Sequence, residues 1–565
     1  MVILGINISG FHSSACLIID GEIKAAITEE RLSRIKRDKS FPHKAILYCC
    51  DIASVSVNEI TDVYVGWNPA FYLNKSDNSL QEALQNRGKL SYLSLNELSL
   101  LVDPESIEIK QEIKSLNANW KIHYVNHHFA HLSNSFLNSG FSNSDFCVID
   151  GFGEHTTGML GSVNYKKILT FESFRSPHSL GSFYSTFTEF LGFYPNGDEW
   201  KVMALASLGN PDKYYNEIKK LITIEGLKLE LDLSYFEHYL PFTPNYFSPK
   251  FVKKFGDPLK KLEELTQDHY DLVSAVQKVA EEITITLLNN LHDKTRSSSL
   301  VLSGGFFMNS VLNGKISQKT LYKNIYIGGS PDDSGISIGS ALYGLVYDKS
   351  ITDIRIKTLD NYYGAEFSNQ DIIQELNKRK IKYKIVPEIE SFTATKIKDK
   401  NIIGWFQGRS EFGQRALGNR SILADPTCVK IKDMVNSSIK YREGFRPFAP
   451  SVIEEKQNEF FINEENQNSF FMEKVLLFKE KVKKSLGAVV HFDGSGRLQT
   501  VCKQVNPKYH KLICEFEKVS GFPIILNTSF NINGMPLVES PSDAIECFYK
   551  SGIDYLIMNN VVVQK

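Results

Sequence analysis

The chain has 565 residues, with 42% apolar and 23% charged residues and a formal net charge of −1. That length predicts two domains or more, each burying its own core, and the near-neutral balance gives no general drive towards nucleic acid or an anionic membrane. No apolar stretch approaches the ~20 residues that span a bilayer, and the eight scattered cysteines (Cys16, Cys49, Cys50, Cys147, Cys428, Cys502, Cys514, Cys547) form no Cys-x-x-Cys pair. The reading is a reduced, cytoplasmic, globular protein.

MVILGINISG reads as a first strand, not a signal peptide. The turn SGFHSS follows, then strands ACLIID and EIKAAITEE joined through Asp20-Gly21 as a hairpin. His12 lies in that first turn. A lone histidine is structural by default, but a place facing a cleft makes it a candidate general base.

NHHFAHLSNSFLNSG reads as a helix start with Asn126 as N-cap. His127 and His131, four apart, project from one helix face and suit two ligands on one divalent metal. Taken alone, His-x-x-x-His is usually coincidental. Here His128 adds a further nitrogen, the next strand brings Asp150, and Asp333 could come from the opposite lobe. Mixed histidine and carboxylate ligation fits iron, manganese or zinc.

The segment DFCVIDGFGEHTTGMLGSV repeats the strand, Gly-rich turn, strand pattern of the N-terminus. Two such units predict a duplicated α/β domain with the turns facing across a cleft. Tyr270–His292 reads as a long helix. SLVLSGGFFMNSVLNGKI and NIYIGGSPDDSGISIGSALYGL then each give strand, Gly-Gly turn and helix, at Gly304-Gly305 and Gly328-Gly329. Such helix starts point backbone N–H groups at phosphate oxygens, although a Gly-Gly pair alone is usually just a turn. Polar sequence near Lys349–Leu359 predicts an interdomain crossing, giving domains 1–355 and 356–565. In the second, NIIGWFQ, GAVVHF and PIILNTSFN read as strands and Pro541–Ser551 as a helix.

Between residues 401 and 450 the chain carries Arg409, Arg415, Arg420, Lys430, Lys432, Lys440, Arg442 and Arg446 against Glu411, Asp425, Asp433 and Glu443. These cations sit among glycines, prolines and aromatics rather than on a helix stripe. The pattern predicts a rigid pocket for compact anions, because arginine binds phosphate and carboxylate bidentately and glycine admits close backbone approach. A solvated basic face would be less aromatic.

Across the whole chain, SGFHSSACLIIDG, EERLSRIKRDKSFP, NHHFAHLSNSF, DGFGEH, WKVMALA, SGGFFMNSVLN, SPDDSGISIGSAL, GRSEFGQRALGNRSILADP, FRPFAPSV, LQTV and LNTSFNINGMPLV occur in an order that resembles the NodU/CmcH family of O-carbamoyltransferases, which includes the tobramycin carbamoyltransferase. The resemblance implies an N-terminal duplicated actin-like (ASKHA, TsaD-like) domain and a C-terminal YrdC-like α/β domain. It implies two steps. ATP and carbamoyl phosphate would give carbamoyl-adenylate in the C-terminal domain, with Mg2+ accompanying ATP. The N-terminal domain would then pass the carbamoyl group to a hydroxyl of a small-molecule natural product.

Arg415, Lys440, Arg446 and Arg497 resemble the family's carbamoyl-phosphate and adenylate contacts, with Asn527 and Ser529 as polar contacts to the same intermediate. His12 resembles the base of the second step. A divalent metal, Fe2+ first with Mn2+ or Zn2+ as alternatives, would sit on His127, His131, Asp150 and Asp333. Lys36, Lys39, Lys201, Gly304, Gly305 and Asn309 resemble nucleotide- or acceptor-side positions. WKVMALASLGN departs from the expected KVMGLAPYG at Ala204 and Ser207, which puts that loop in question.

Loops 68–96 and 235–258 are expected to set acceptor choice. The expected partner is a hydroxylated small molecule, with no nucleic acid and no membrane; a homodimer is the candidate assembly. Three rival readings are a tRNA threonylcarbamoyladenosine-type transferase, which calls for a broad basic surface, a catalytically silent nucleotide-binding regulator, which calls for eroded ligand sets, and a sugar kinase, which needs neither the histidine pair nor the arginine pocket.

Overall fold

The computed structural model describes residues 1–68, 116, 119–240, 243–261, 263–352, 354, 359–440, 448–463 and 467–565. Val2–Asn7 (β1), Ser14–Ile19 (β2), Glu22–Thr28 (β3), Asp62–Val65 (β4) and Lys121–Tyr124 (β5) form one sheet, ordered β3-β2-β1-β4-β5. The first three strands are antiparallel, while β1, β4 and β5 run parallel. The β2–β3 hairpin turns at Asp20 (φ 48°) and Gly21 (φ 78°), the left-handed pair that matches strand twist.

A second sheet repeats the connectivity. Asn143–Ile149 (β6), Thr156–Asn164 (β7) and Lys167–Arg175 (β8) are antiparallel. After the small hairpin of Ile222–Glu225 (β9) and Lys228–Leu231 (β10), Ser299–Ser303 (β11) and Asn324–Ile327 (β12) add in parallel, giving β12-β11-β6-β7-β8. The duplication read from the two turn motifs is therefore present as topology.

Two helices, His127–Ser139 and Ile336–Tyr343, lie between the sheets. Their apolar faces join residues of both sheets, among them Ile3, Phe136, Phe146 and Ile338, in one buried core. The helices touch so closely that a Cβ on Gly339 would stand 1.8 Å from the Ala130 carbonyl oxygen. Both helix N-termini consequently arrive at one place, the mouth between the sheets. The long helix of the second half runs over Gln267–Thr295, enclosing the expected span.

The C-terminal lobe is a nine-stranded mixed sheet. Its strands are Lys384–Ile385 (β13), Ile403–Phe406 (β14), Arg420–Ala424 (β15), Ala449–Ile453 (β16), Lys474–Leu477 (β17), Ser495–Val501 (β18), Ile524–Ser529 (β19), Tyr555–Met558 (β20) and Val561–Gln564 (β21). They are ordered β13-β21-β20-β14-β15-β19-β16-β18-β17. The strands expected at NIIGWFQ and PIILNTSFN are β14 and β19, and the expected C-terminal helix spans Pro541–Tyr549.

GAVVHF is not a strand. It is a turn after Lys484–Leu486 whose Ala488 and Val489 pack into the lobe's core, so its apolar run reflects burial without sheet pairing.

The lobes are clamped by buried polar groups. Arg31 Nη2 donates to the Gly413 carbonyl at 2.7 Å, and Arg31 lies 3.5 Å from the Glu539 carboxylate with both side chains 3% exposed. Arg34 donates to the carbonyls of Pro536 and Leu537. These arginines of the EERLSRIKR segment satisfy backbone acceptors across the junction.

Candidate active site

The N-terminus of the His127–Ser139 helix is capped as its sequence predicts: Asn126 Oδ1 accepts from Phe129 N at 3.1 Å. Glu154 adds a buried carboxylate that accepts from His127 N at 3.0 Å and from Asn126 Nδ2 at 3.0 Å. Negative charge there is favoured by the helix dipole.

His127 and His131 are both 0% exposed. Their Nε2 atoms lie 3.3 and 2.8 Å from Asp150 Oδ2, and 3.6 and 3.4 Å from Asp333 Oδ1. All four donor atoms fall within 4.8 Å of one another. Asp150 arrives from the end of β6 and Asp333 from the turn before the Ile336–Tyr343 helix. The cluster therefore assembles one ligand set from both halves of the duplication.

The donor set suits a divalent cation. His127 Nδ1 lies 3.3 Å from the Gly66 carbonyl, which fixes the tautomer and leaves Nε2 free for a metal. Ser9 Oγ donates to Asp333 Oδ2 at 2.8 Å, and Gly151 N to Asp150 Oδ1 at 2.8 Å, so each carboxylate keeps its other oxygen for the cluster. Burial opposes ionisation of Asp150, but hydrogen bonds from His127 and His131 prevail and hold it well below the usual carboxylate range. Burial likewise disfavours charge on His131, yet Asp150 and Asp333 carry it up to about 10. Protons and a divalent ion compete for these atoms.

His128 does not join the set. Its Nδ1 is hydrogen-bonded with Thr156 Oγ1 at 2.8 Å, and its ring lies where a Cβ on Gly153 would approach Cε1 to 2.5 Å. One residue along a helix is a rotation of about 100°, which turns it off the metal face.

A cavity of about 980 Å³ opens between the lobes, lined by Asp150 and Asp333 on one side and by Arg415, Arg497, Asn527 and Ser529 on the other. Members of the two residue sets assigned to separate domains thus border one space. His12 lines it, at φ 50° in the β1–β2 turn, and Gln414 Nε2 reaches its Nε2 at 3.4 Å and Asp332 Oδ2 at 2.5 Å.

Arg415 is half-buried on this wall and has no hydrogen-bond or ion-pair partner among the described residues. Burial pulls its guanidinium below the ordinary value, and the nearby Asp332 works against that. Asn527 spends its Nδ2 on Gln499 Oε1 at 2.8 Å, Ser451 Oγ and the Ala416 carbonyl. Arg497 Nε donates to Ser310 Oγ at 3.2 Å, and Ser529 Oγ donates to Asn531 Oδ1 at 2.7 Å.

Several expected contacts lie elsewhere. Lys440 is 4% exposed and off the cavity wall. Its Nζ donates to Ser529 O at 2.5 Å, Asn531 Oδ1 at 2.7 Å, Asn531 O and Ser529 Oγ, so it anchors the turn that presents Ser529. Arg409 donates to the carbonyls of Gly364, Lys24 and Tyr363, and Arg420 to those of Gln407, Gly408 and Ala365, with its guanidinium 3.7 Å from the Phe406 ring centre. Irregular loops leave carbonyls unpaired, and a guanidinium with five donors satisfies several at once. That use accounts for much of the basic excess. Arg446 and Arg442 lie outside the described residues.

Lys36 lines the cavity beside Glu30, whereas Lys39 sits over the Phe11 ring and Lys201 pairs with Asp198 at 3.0 Å, both off the wall. Gly305 lines the cavity beside Asp150, and Gly304 (φ 92°) fits only because it has no Cβ, which would meet the Ile149 carbonyl at 2.1 Å. Asn309 lines it too, but its amide is engaged with Gln277 and with Leu312 N as a helix cap. Ala204 and Ser207, at the departure in WKVMALASLGN, also line the cavity. Of the two loops expected to set acceptor choice, residues 69–96 lie outside the described set. The other contributes His238 and Tyr246 to the wall.

Sequence reading missed Ser9, Gly66, Glu154 and Gln414. Ser9 and Glu154 sit inside the quoted turn motifs, and their neighbours His12 and Asp150 are the signal that could have found them.

Residues 2–342 match the model of the carbamoyltransferase N-terminus and residues 394–565 that of the carbamoyltransferase C-terminus. An uncharacterized protein of Synechocystis sp., sll1178, is 33% identical over 100% of this chain and 96% of its own. The nodulation protein NolNO of Sinorhizobium fredii is 34% identical over 98% of this chain and 78% of its own. The 3'-hydroxymethylcephem-O-carbamoyltransferase of Streptomyces clavuligerus is 30% identical over 44% of this chain and 45% of its own. Among solved structures, T. kodakarensis HypF shares 12% identity over 62% of this chain and 48% of its own at a TM-score of 0.34, a likeness too weak to build on. With both halves matched and relatives aligned end to end, the chain belongs to the carbamoyltransferase family.

Proposed function

We propose that the chain is an ATP-dependent O-carbamoyltransferase whose acceptor is a hydroxyl of a small-molecule natural product. The observation that carries this reading is the cavity bordered both by Asp150 and Asp333 of the four-residue cluster and by Arg415, which makes no hydrogen bond or ion pair among the described residues. On this reading the C-terminal lobe acts as a YrdC-like domain and the duplicated lobe as an actin-like, TsaD-like transfer domain; the matched connectivity of the two five-stranded sheets supports the latter.

In the first step carbamoyl phosphate gives phosphate to water, leaving carbamate. A carbamate oxygen then attacks the α-phosphorus of ATP, and pyrophosphate leaves. Arg415 and Arg497 hold the anionic oxygens, Asn527 and Ser529 contribute polar contacts, and Lys440 keeps Ser529 in place. Phe448, Met472 and Val490 form the apolar part of the same wall.

In the second step the acceptor oxygen attacks the carbamoyl carbon of the mixed anhydride, AMP leaves, and the acceptor proton passes to His12. Gln414 beside His12 orients its ring. His127, His131, Asp150 and Asp333 would hold a divalent ion, iron first and manganese or zinc as alternatives, which would supply Lewis acidity towards a phosphate or carbonyl oxygen.

Incubating the protein with ATP, carbamoyl phosphate and a panel of hydroxylated natural products tests the reading. One acceptor should gain the mass of one carbamoyl group in place of a hydrogen, with pyrophosphate and AMP released in equal amounts. Orthophosphate release from ATP without AMP would count against it.

A further inference from the structure

The Val429–Val435 helix buries Ile431 and Val435 in the core of the C-terminal lobe. At its start the exposed Val429 abuts the turn after Lys484–Leu486, where a Cβ on Gly487 would come within 2.7 Å of Val429 Cγ2. The helix therefore holds Lys432 at a set height beside the turn that carries His491 and Asp493, and all three line the cavity with Arg497. Lys432 is half-buried and, like Arg415, makes no hydrogen bond or ion pair among the described residues.

The one carboxylate of this wall segment is already engaged. Asp493 Oδ1 accepts from Ser495 Oγ at 2.6 Å and from Ser495 N at 3.0 Å. The Ser495 hydroxyl hydrogen is thus spent, so His491 Nδ1 donates to Ser495 Oγ at 3.1 Å. His491 Nε2 keeps a lone pair with no partner among the described residues. Burial, opposed by Asp493 and helped by Arg497 and Lys432, pushes His491 down to about 4, so it stays neutral and adds no charge to the wall. The segment carries an uncompensated positive charge.

We infer that Lys432 is a further binding residue, receiving with Arg497 the terminal phosphates of a nucleoside triphosphate. This rests on the proposed adenylate-forming reaction, which holds two anions at once. Arg415, beside Asp332 and Gln414, faces the His12 side, and one guanidinium cannot neutralise a triphosphate as well as a carbamoyl phosphate. An ammonium suits this task as a point charge on freely rotating phosphate oxygens.

Titration of the full-length protein with ATP, inorganic pyrophosphate, AMP and carbamoyl phosphate tests the assignment. Lys432→Ala should weaken ATP and pyrophosphate binding about tenfold or more, as for a lost charge-assisted hydrogen bond. AMP and carbamoyl phosphate should stay within about twofold on the same scale, and Lys432→Arg should recover most of the loss at an unchanged melting temperature. Unchanged pyrophosphate binding, or an equal loss for AMP or carbamoyl phosphate, overturns the inference while leaving the reaction standing. A wild-type protein that binds neither ATP nor pyrophosphate overturns the reaction itself, and the assignment with it.

Discussion

The two walls of the cavity handle charge in opposite ways. On the duplicated lobe, two imidazoles and two carboxylates lie within 4.8 Å and answer one another, so the cluster is electrostatically satisfied from within. On the C-terminal lobe, Arg415 and Lys432 face the same space with no hydrogen bond or ion pair among the described residues, Asp332 acting on Arg415 only from a distance. A balanced cluster of buried charges is shaped to exchange a proton for a metal. A wall of lone cations is shaped to wait for an anion. The first should be sensitive to chelators and pH, the second to phosphate and salt.

The largest effect expected from breaking this contrast is at His131. His131→Ala should abolish bound metal, measured by elemental analysis, and with it carbamoyl transfer, while pyrophosphate release from ATP continues. Full metal content in that variant would remove the ligand assignment. Next, His12→Asn should slow transfer to the acceptor roughly 10²–10⁴-fold, the span of general-base losses, with adenylate formation intact; equal slowing of both steps would deny it the base role.

Arg415→Ala should slow pyrophosphate release about 10²–10³-fold, as for the loss of a charge-stabilising donor, and Arg409→Ala should not, because Arg409 is spent on three carbonyls at the lobe junction. If both arginines cost the same rate, the distinction between waiting and committed cations fails.

The smallest effect concerns pH. Without metal, His131 is raised to about 10, above the ordinary value of about 6.5. Its stabilising proton is fully present below about 6.5 and is lost as pH rises towards about 10. Melting temperatures of chelator-treated protein should therefore fall across that interval, and the gap to metal-loaded protein should widen. Parallel curves would contradict the competition between proton and metal.

Much of this was legible before any coordinates. The i, i+4 pair His127 and His131 needed only helical periodicity, the strand–turn–strand motif offered Asp150, and the strand, Gly-Gly turn and helix unit offered Asp333 from the opposite lobe. The repeat of those motifs announced the duplication. Arginine function was harder to read, because a guanidinium capping carbonyls and one awaiting phosphate look alike in sequence. Arg409, Arg415 and Arg420 lie within twelve residues, yet only Arg415 turns to the cavity. Burial misled twice more. GAVVHF is apolar because it packs, without pairing as a strand, and Lys440, expected as a direct substrate contact, is hidden behind Ser529. Ser9 acts through its hydroxyl on Asp333, and Gln414 through its amide on His12 and Asp332, roles no spacing rule reveals.

That both walls bound one volume has a kinetic consequence. An unstable mixed anhydride made against the arginines would travel a molecular diameter to its acceptor and never meet bulk solvent. Added hydroxylamine should then intercept little of the flux, and opening a route to solvent, more than slowing either step, would let the activated group escape.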